Sequence, residues 1–155
     1  MRIQTGITLL ALSTLGVCAT LSSASAGESS TVSVQCAATD ALPPIGGNVY
    51  TTCFGDAQFK FHSDGVPTAY GLKITASPMH CSAVNYQVYA TYDPNLLLGK
   101  TQNFLEAGQS EIVPIGNNFA RGLQVVNIRA LGKVGGCNTG RMQGWSGRVD
   151  VVIIP

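Results

Sequence analysis

His62-Ser63-Asp64 sets a base, a hydroxyl and a carboxylate side by side, and His80 stands next to Cys81. These are the residue types of acyl transfer, where a base activates a nucleophile and a third group orients the base. Their spacing argues against that chemistry. Neighbours in an extended segment point to opposite faces, and a triad is gathered in space from separate elements. No G-x-S-x-G turn is present to present a serine. The remaining carboxylates are Glu28, Asp40, Asp56, Asp93, Glu106, Glu111 and Asp150, mostly in turn-like or outward positions, where no facing pair is expected. Asp56, His62 and Asp64 offer ligands to a metal, but their spacing matches no calcium-caging loop. No metal, no cofactor and no enzymatic activity are expected.

The basic residues Lys60, Lys73, Lys100, Arg121, Arg129, Lys133, Arg141 and Arg148 are dispersed and balanced by acids. A nucleic-acid surface needs them gathered on one face, so nucleic acid is not an expected partner. Charged residues make up only 11% of the chain and the formal net charge is +1. That balance excludes a disordered or polyanion-seeking chain.

The cysteines depend on where the chain goes. Met1-Arg2, the uncharged apolar run Ile7 to Leu21 and the small residues Ala24-Ser25-Ala26 have the layout of a secretory signal. Residues 1–26 are expected to be cleaved, leaving a single domain over 27–155 with no membrane span. Cleavage removes Cys18 and leaves Cys36, Cys53, Cys81 and Cys137. An even set in an exported chain reads as two disulfides. The absence of any C-x-x-C pair argues against zinc. Pairing Cys36 with Cys53 and Cys81 with Cys137 is one of three connectivities. A periplasmic or secreted location follows, and an oxidised Cys81 cannot serve as a nucleophile beside His80.

For binding rather than catalysis, the segment Gly132 to Gly147 stands out. It carries Arg141 and Trp145, the only tryptophan of the chain. Gly144 and Ser146-Gly147 leave the indole room to face outward, although a Trp packed between sheets is the competing arrangement. Tyr89 lies on the wet face of its run with Asn85, Gln87 and Thr91. Outward aromatics beside amides and a guanidinium suit a protein or carbohydrate contact. The expected partner-binding set is therefore Arg141, Trp145 and Tyr89.

These residues must be held by strands. Apolar and polar residues alternate with period two over Val32–Cys36, Ala57–His62, Tyr70–Ala76, Val84–Tyr92, Val126–Ala130 and Val149–Ile153. Turn chemistry separates them, as in Asp64-Gly65-Val66-Pro67, Ser77-Pro78 and Asp93-Pro94-Asn95. Residues 95–106, with Leu96, Leu97 and Leu98, suit a short helix or a strand equally. The expected fold is all-β, an antiparallel β-sandwich of about seven or eight strands stapled by two disulfides, with a closed barrel as the alternative. The function that fits is an exported, non-catalytic binding or assembly module, such as a surface, coat or adhesion-type subunit, with self-association allowed. The alternative is a small extracytoplasmic inhibitor or immunity-type protein that blocks a hydrolase.

Overall fold

The computed structural model describes residues 28–36, 50–51, 55–135, 137 and 142–155. The expected signal segment, Cys53 and Arg141 lie outside the described residues. Within them the alternating runs form β1 (Ser29–Gln35), β2 (Tyr50–Thr51), β3 (Ala57–Ser63), β4 (Ala69–Ala76), β5 (Val84–Ala90), β6 (Leu97–Lys100), β7 (Ser110–Gly116), β8 (Gly122–Lys133) and β9 (Gly144–Ile154). No helix among the described residues is long and apolar enough to cross a membrane.

Two antiparallel sheets form a sandwich. One has the order β1-β9-β4-β7, the other β2-β8-β5-β6, with β3 also paired to β8. Gly132 pairs with Thr51 and Val84, and Ile128 with Ala57 and Val88. Hence β2 and β3 share the side of β8 that faces away from β5. They are two pieces of one interrupted edge strand, which gives each sheet four strand positions. Burial follows the alternation. In β3, Ala57, Phe59, Phe61 and Ser63 are buried while Gln58, Lys60 and His62 are exposed. Phe59, Phe61, Leu72, Ile74, Tyr86, Ile128 and Val149 meet between the sheets. Each such side chain contributes about 1.5–3 kcal/mol by leaving water.

Residues 97–100 are strand, not helix. A Cβ at Gly99 would collide with the Pro114 carbonyl oxygen, so the glycine lets β6 lie against β7 where the two sheets meet. β7 escaped the reading by alternation because Pro114 and Gly116 interrupt it. Proline is tolerated there because β7 is an edge strand. On the opposite side, Glu28 Oε2 accepts the His62 N–H at 3.0 Å and Oε1 lies 2.6 Å from His62 Nδ1, joining the chain before β1 to β3.

Cys81 and Cys137 are disulfide-bonded, with Cα atoms 5.7 Å apart. This bridge ties the β4–β5 turn to the β8–β9 connection and is consistent with an oxidising, extracytoplasmic compartment. Cys36 is also disulfide-bonded. Of the two expected bridges, one is therefore seen in full among the described residues.

Candidate functional site

The catalytic combinations do not assemble. His62 points to Glu28. The Ser63 hydroxyl donates to the Phe119 carbonyl, and Asp64 Oδ1 accepts from Val66 N–H and from Tyr70 Oη. His80 is held by the backbone. Its Nε2 lies 2.9 Å from Ser146 O and 3.0 Å from Ser146 N. Ser146 O already accepts the Tyr86 hydroxyl at 2.7 Å and the Ser77 N–H at 3.3 Å. The consistent assignment has Nε2 accepting from Ser146 N–H, which leaves that nitrogen no free lone pair for a substrate. Among the described residues no group of three His, Cys, Asp or Glu is placed to hold a metal ion.

Trp145 is not the exposed anchor expected of it. The residue is 3% exposed and belongs to the core. The strand period decides this. Trp145, Gly147 and Val149 take the inward positions of β9, while Ser146 and Arg148 face outward. The flanking glycines serve backbone approach instead of indole exposure. A Cβ at Gly144 would sit 2.8 Å from the Val34 carbonyl oxygen, and one at Gly147 would sit 3.2 Å from Tyr86 Oη. The indole packs edge-on against the Tyr86 ring, with centroids 5.8 Å apart and planes at 75°. Its Nε1 is buried with no hydrogen-bond partner, a deficit of about 1–3 kcal/mol for a buried donor.

Trp145 also lines a cavity of about 640 Å³ at the disulfide end of the sandwich. The first sheet supplies Val34 and Gly144, the second Val84 and Gly132, and the intervening turns supply Met79, His80 and the Cys81–Cys137 bridge. No Asp, Glu, Lys or Arg is among the described residues that line it.

Tyr89 is elsewhere. On β5, Val84, Tyr86 and Val88 point into the core, so Asn85, Gln87 and Tyr89 lie on the outer face of the second sheet. Tyr89 is half-buried there. Its hydroxyl donates to Gln87 Oε1 at 2.8 Å, and the Arg129 guanidinium carbon stands 4.6 Å from its ring centroid. Tyr89 pairs with Asn127 and Gln87 with Arg129 across β5 and β8, so Tyr89 and Arg129 are diagonal neighbours, within reach for long side chains. Arg129 is also forked by Asp56, with Nε–Oδ1 at 2.8 Å and Nη2–Oδ2 at 3.1 Å. The hydrogen bond to Asp56 is the main cause that lifts the guanidinium pKa above its already high ordinary value, with burial opposing it. The plane is thus clamped from one edge and laid on an aromatic ring, in the geometry that suits arginine.

The structure therefore separates the expected contact set. Trp145 is inside at one end of the sandwich, Tyr89 is on the outer face of the second sheet, and Arg141 lies outside the described residues. The guanidinium beside Tyr89 is Arg129. Its place could have been anticipated from pairing register, but the sequence alone does not supply that register.

No family model matches the chain, and no curated protein matches it. Among solved structures, it is similar to the infectious bursal disease virus Gx strain structure, at 14% identity and a TM-score of 0.32, over 81% of this chain and 33% of that one. It is also similar to the VP2 subviral particle of infectious bursal disease virus, at 18% identity and a TM-score of 0.31, over 83% of this chain and 33% of that one. The chain spans about a third of the length of those viral chains.

Proposed function

We propose that this chain is an exported, non-catalytic binding or assembly module that meets a protein or carbohydrate surface on the outer face of its second sheet. The observation that carries the reading is the Asp56–Arg129–Tyr89 assembly. A guanidinium fixed by two hydrogen bonds and stacked on a half-exposed ring is ordered before any partner arrives, which lowers the entropic cost of binding. Tyr and Arg are also the side chains that most often dominate contact energies. Gln58 and Lys60 on β3 are exposed on the neighbouring outward positions and extend the polar surface.

The test is site-directed photocrosslinking in the cells that make the protein. A crosslinker at Gln58 reports on this face, and one at Lys73, on the outer face of the first sheet, is the control. The expected result is a discrete adduct from position 58 that is absent from position 73 and lost in Tyr89→Ala and Arg129→Ala. Equal labelling from both faces, or an adduct indifferent to both substitutions, refutes the proposal.

A further inference from the structure

We infer that the outer face of the second sheet binds an acidic glycan, a carboxylate-bearing oligosaccharide whose anionic group docks over Gln87 between Arg129 and Lys100. The inference rests on the reading of this face as the contact surface and names the chemistry of its partner. The basic residues are dispersed along the sequence, but strand pairing gathers several of them here. Gln87 pairs with Arg129 across β5 and β8 and with Lys100 across β5 and β6, and directly opposed residues share a face. One row therefore runs Asp56, Arg129, Gln87, Lys100 straight across the sheet, with Arg129 and Lys100 about 10 Å apart at the backbone. Lys60 faces Val125, which lies about 14 Å along β8 from Arg129 at the strand rise. Among the described residues neither Lys60 nor Lys100 has an ion-pair partner.

The row offers donors. Asp56 takes Nε and one hydrogen of Nη2 from Arg129, which leaves Nη1 and the second Nη2 hydrogen. The Arg129 side chain is 33% exposed. Gln87 Oε1 accepts the Tyr89 hydroxyl, so the other end of this amide, its NH2, is what it offers a ligand. Lys100 is exposed. Guanidinium, amide and ammonium thus stand side by side, the complement of a carboxylate. The neighbouring acids are already engaged: Asp56 by Arg129, Glu28 by His62, and Glu111 by the Gln102 and Asn103 amides. What lies between the cationic positions favours sugar over protein. Gln58, Asn127 and Tyr89 form the next row, and their amides and phenol suit hydroxyl groups. A protein contact centres instead on a charge-depleted core, whereas here charge occupies the middle of the face.

The experiment titrates the purified, isotopically labelled protein with oligogalacturonate at low salt, where surface charge is least screened, and reads NMR shifts. Saturable movement of the Gln87 side-chain amide and of Arg129 Nε is expected, with the outer face of the first sheet unmoved. Methyl-esterified oligogalacturonate keeps the sugars, loses the charge and should not bind. Oligoglutamate of equal charge should bind at least about tenfold more weakly. Lys100→Gln should weaken oligogalacturonate about two- to fivefold, the worth of an exposed ion pair. Lys73→Gln removes the same charge from the first sheet and should change nothing. Gln87→Glu keeps an oxygen for the Tyr89 hydroxyl but turns the central donor into a carboxylate, and should weaken binding about tenfold or more. No saturable binding, equal binding of the ester or of oligoglutamate, equal losses from Lys73→Gln and Lys100→Gln, or undiminished binding by Gln87→Glu overturns the inference. If any of these is found while the Gln58 crosslinker still yields its adduct, the contact face stands and only the acidic glycan falls. Loss of that adduct removes the contact face and this inference with it.

Discussion

Gly147→Ala is the sharpest probe of how the two sheets are locked. The Tyr86 hydroxyl crosses from β5 to donate to Ser146 O at 2.7 Å, and it reaches that carbonyl over the bare Cα of Gly147. An alanine methyl there would lie 3.1 Å from Thr75 O, 3.2 Å from Tyr86 Oη and 3.4 Å from Tyr86 Cζ. Thr75 is fixed by the β4–β9 ladder, in which Thr75 faces Arg148 and Ala76 faces Gly147, so the phenol must move. Losing its hydrogen bond costs about 1 kcal/mol. Crowding against the Thr75 carbonyl adds about 1–3 kcal/mol, and the stiffer unfolded chain returns about 0.4–1 kcal/mol. The expected net destabilisation is about 1–3 kcal/mol, read from urea denaturation.

The mechanism is isolated by repeating the substitution in Tyr86→Phe. Without the hydroxyl there is no hydrogen bond left to break and no oxygen 3.2 Å from the new methyl. The cost of Gly147→Ala should then fall by about 1 kcal/mol, a coupling well outside the roughly 0.3–0.5 kcal/mol scatter of independent sites. Additive costs within that scatter would mean that the methyl is resisted by the β4 backbone alone, and the account of Gly147 as the passage for the Tyr86 hydroxyl would be wrong.

Tyr86 also sets an alkaline limit. Burial pushes its hydroxyl well above the ordinary tyrosine value, so the folded pKa exceeds the unfolded one. Its contribution is complete below pH ~10 and is lost as pH rises beyond that, at up to about 1.4 kcal/mol per pH unit; Tyr86→Phe should flatten that part of the stability–pH curve. The Cys81–Cys137 bridge should resist alkylation in the absence of reductant, and the paired serine substitution should cost about 2–4 kcal/mol; ready labelling of both thiols in native protein would contradict it. Asn85 is buried, and its Nδ2 donates to Thr101 O at 2.6 Å, Thr101 Oγ1 at 2.8 Å and Asn103 O at 3.2 Å. Asn85→Ala should therefore cost about 1–3 kcal/mol and speed hydrogen exchange at Gln102 and Asn103, whose amides Glu111 also holds; unchanged exchange there would show that Glu111 alone fixes the loop.

The sheets were legible where side chains alternate without interruption. β3, β4, β5 and the middle of β8 lie where Ala57–His62, Tyr70–Ala76, Val84–Tyr92 and Val126–Ala130 alternate, because one face of each is buried and period two records it. β7 was illegible because Pro114 and Gly116 are edge and turn adaptations that carry no apolar signal. The division of β2 from β3 leaves no mark in local pattern, since it depends on which residues of β8 are paired. The Cys81–Cys137 bridge was among the connectivities that the sequence allowed. Its pairing is a tertiary fact, fixed when β4–β5 and β8–β9 turns meet at one end.

Trp145 shows why composition around a residue misleads about its exposure. Small neighbours suggest space for an outward ring, yet in a strand the immediate neighbours i±1 occupy the opposite face. They say nothing of what the ring itself meets. The relevant neighbours are i+2 and i+4, Gly147 and Val149, both buried, and the cross-strand residue Val34. Gly147 then does two things at once. It admits the Tyr86 hydroxyl to Ser146 O, which draws the phenol ring into edge contact with the indole. Ser146 O, with Ser77 N–H also bound to it, is thereby committed to other donors. The lock that stabilises the sandwich thus takes up the accepting capacity of that carbonyl. The same glycine that admits the Tyr86 hydroxyl therefore ties the two sheets together while the phenol ring rests edge-on against the indole.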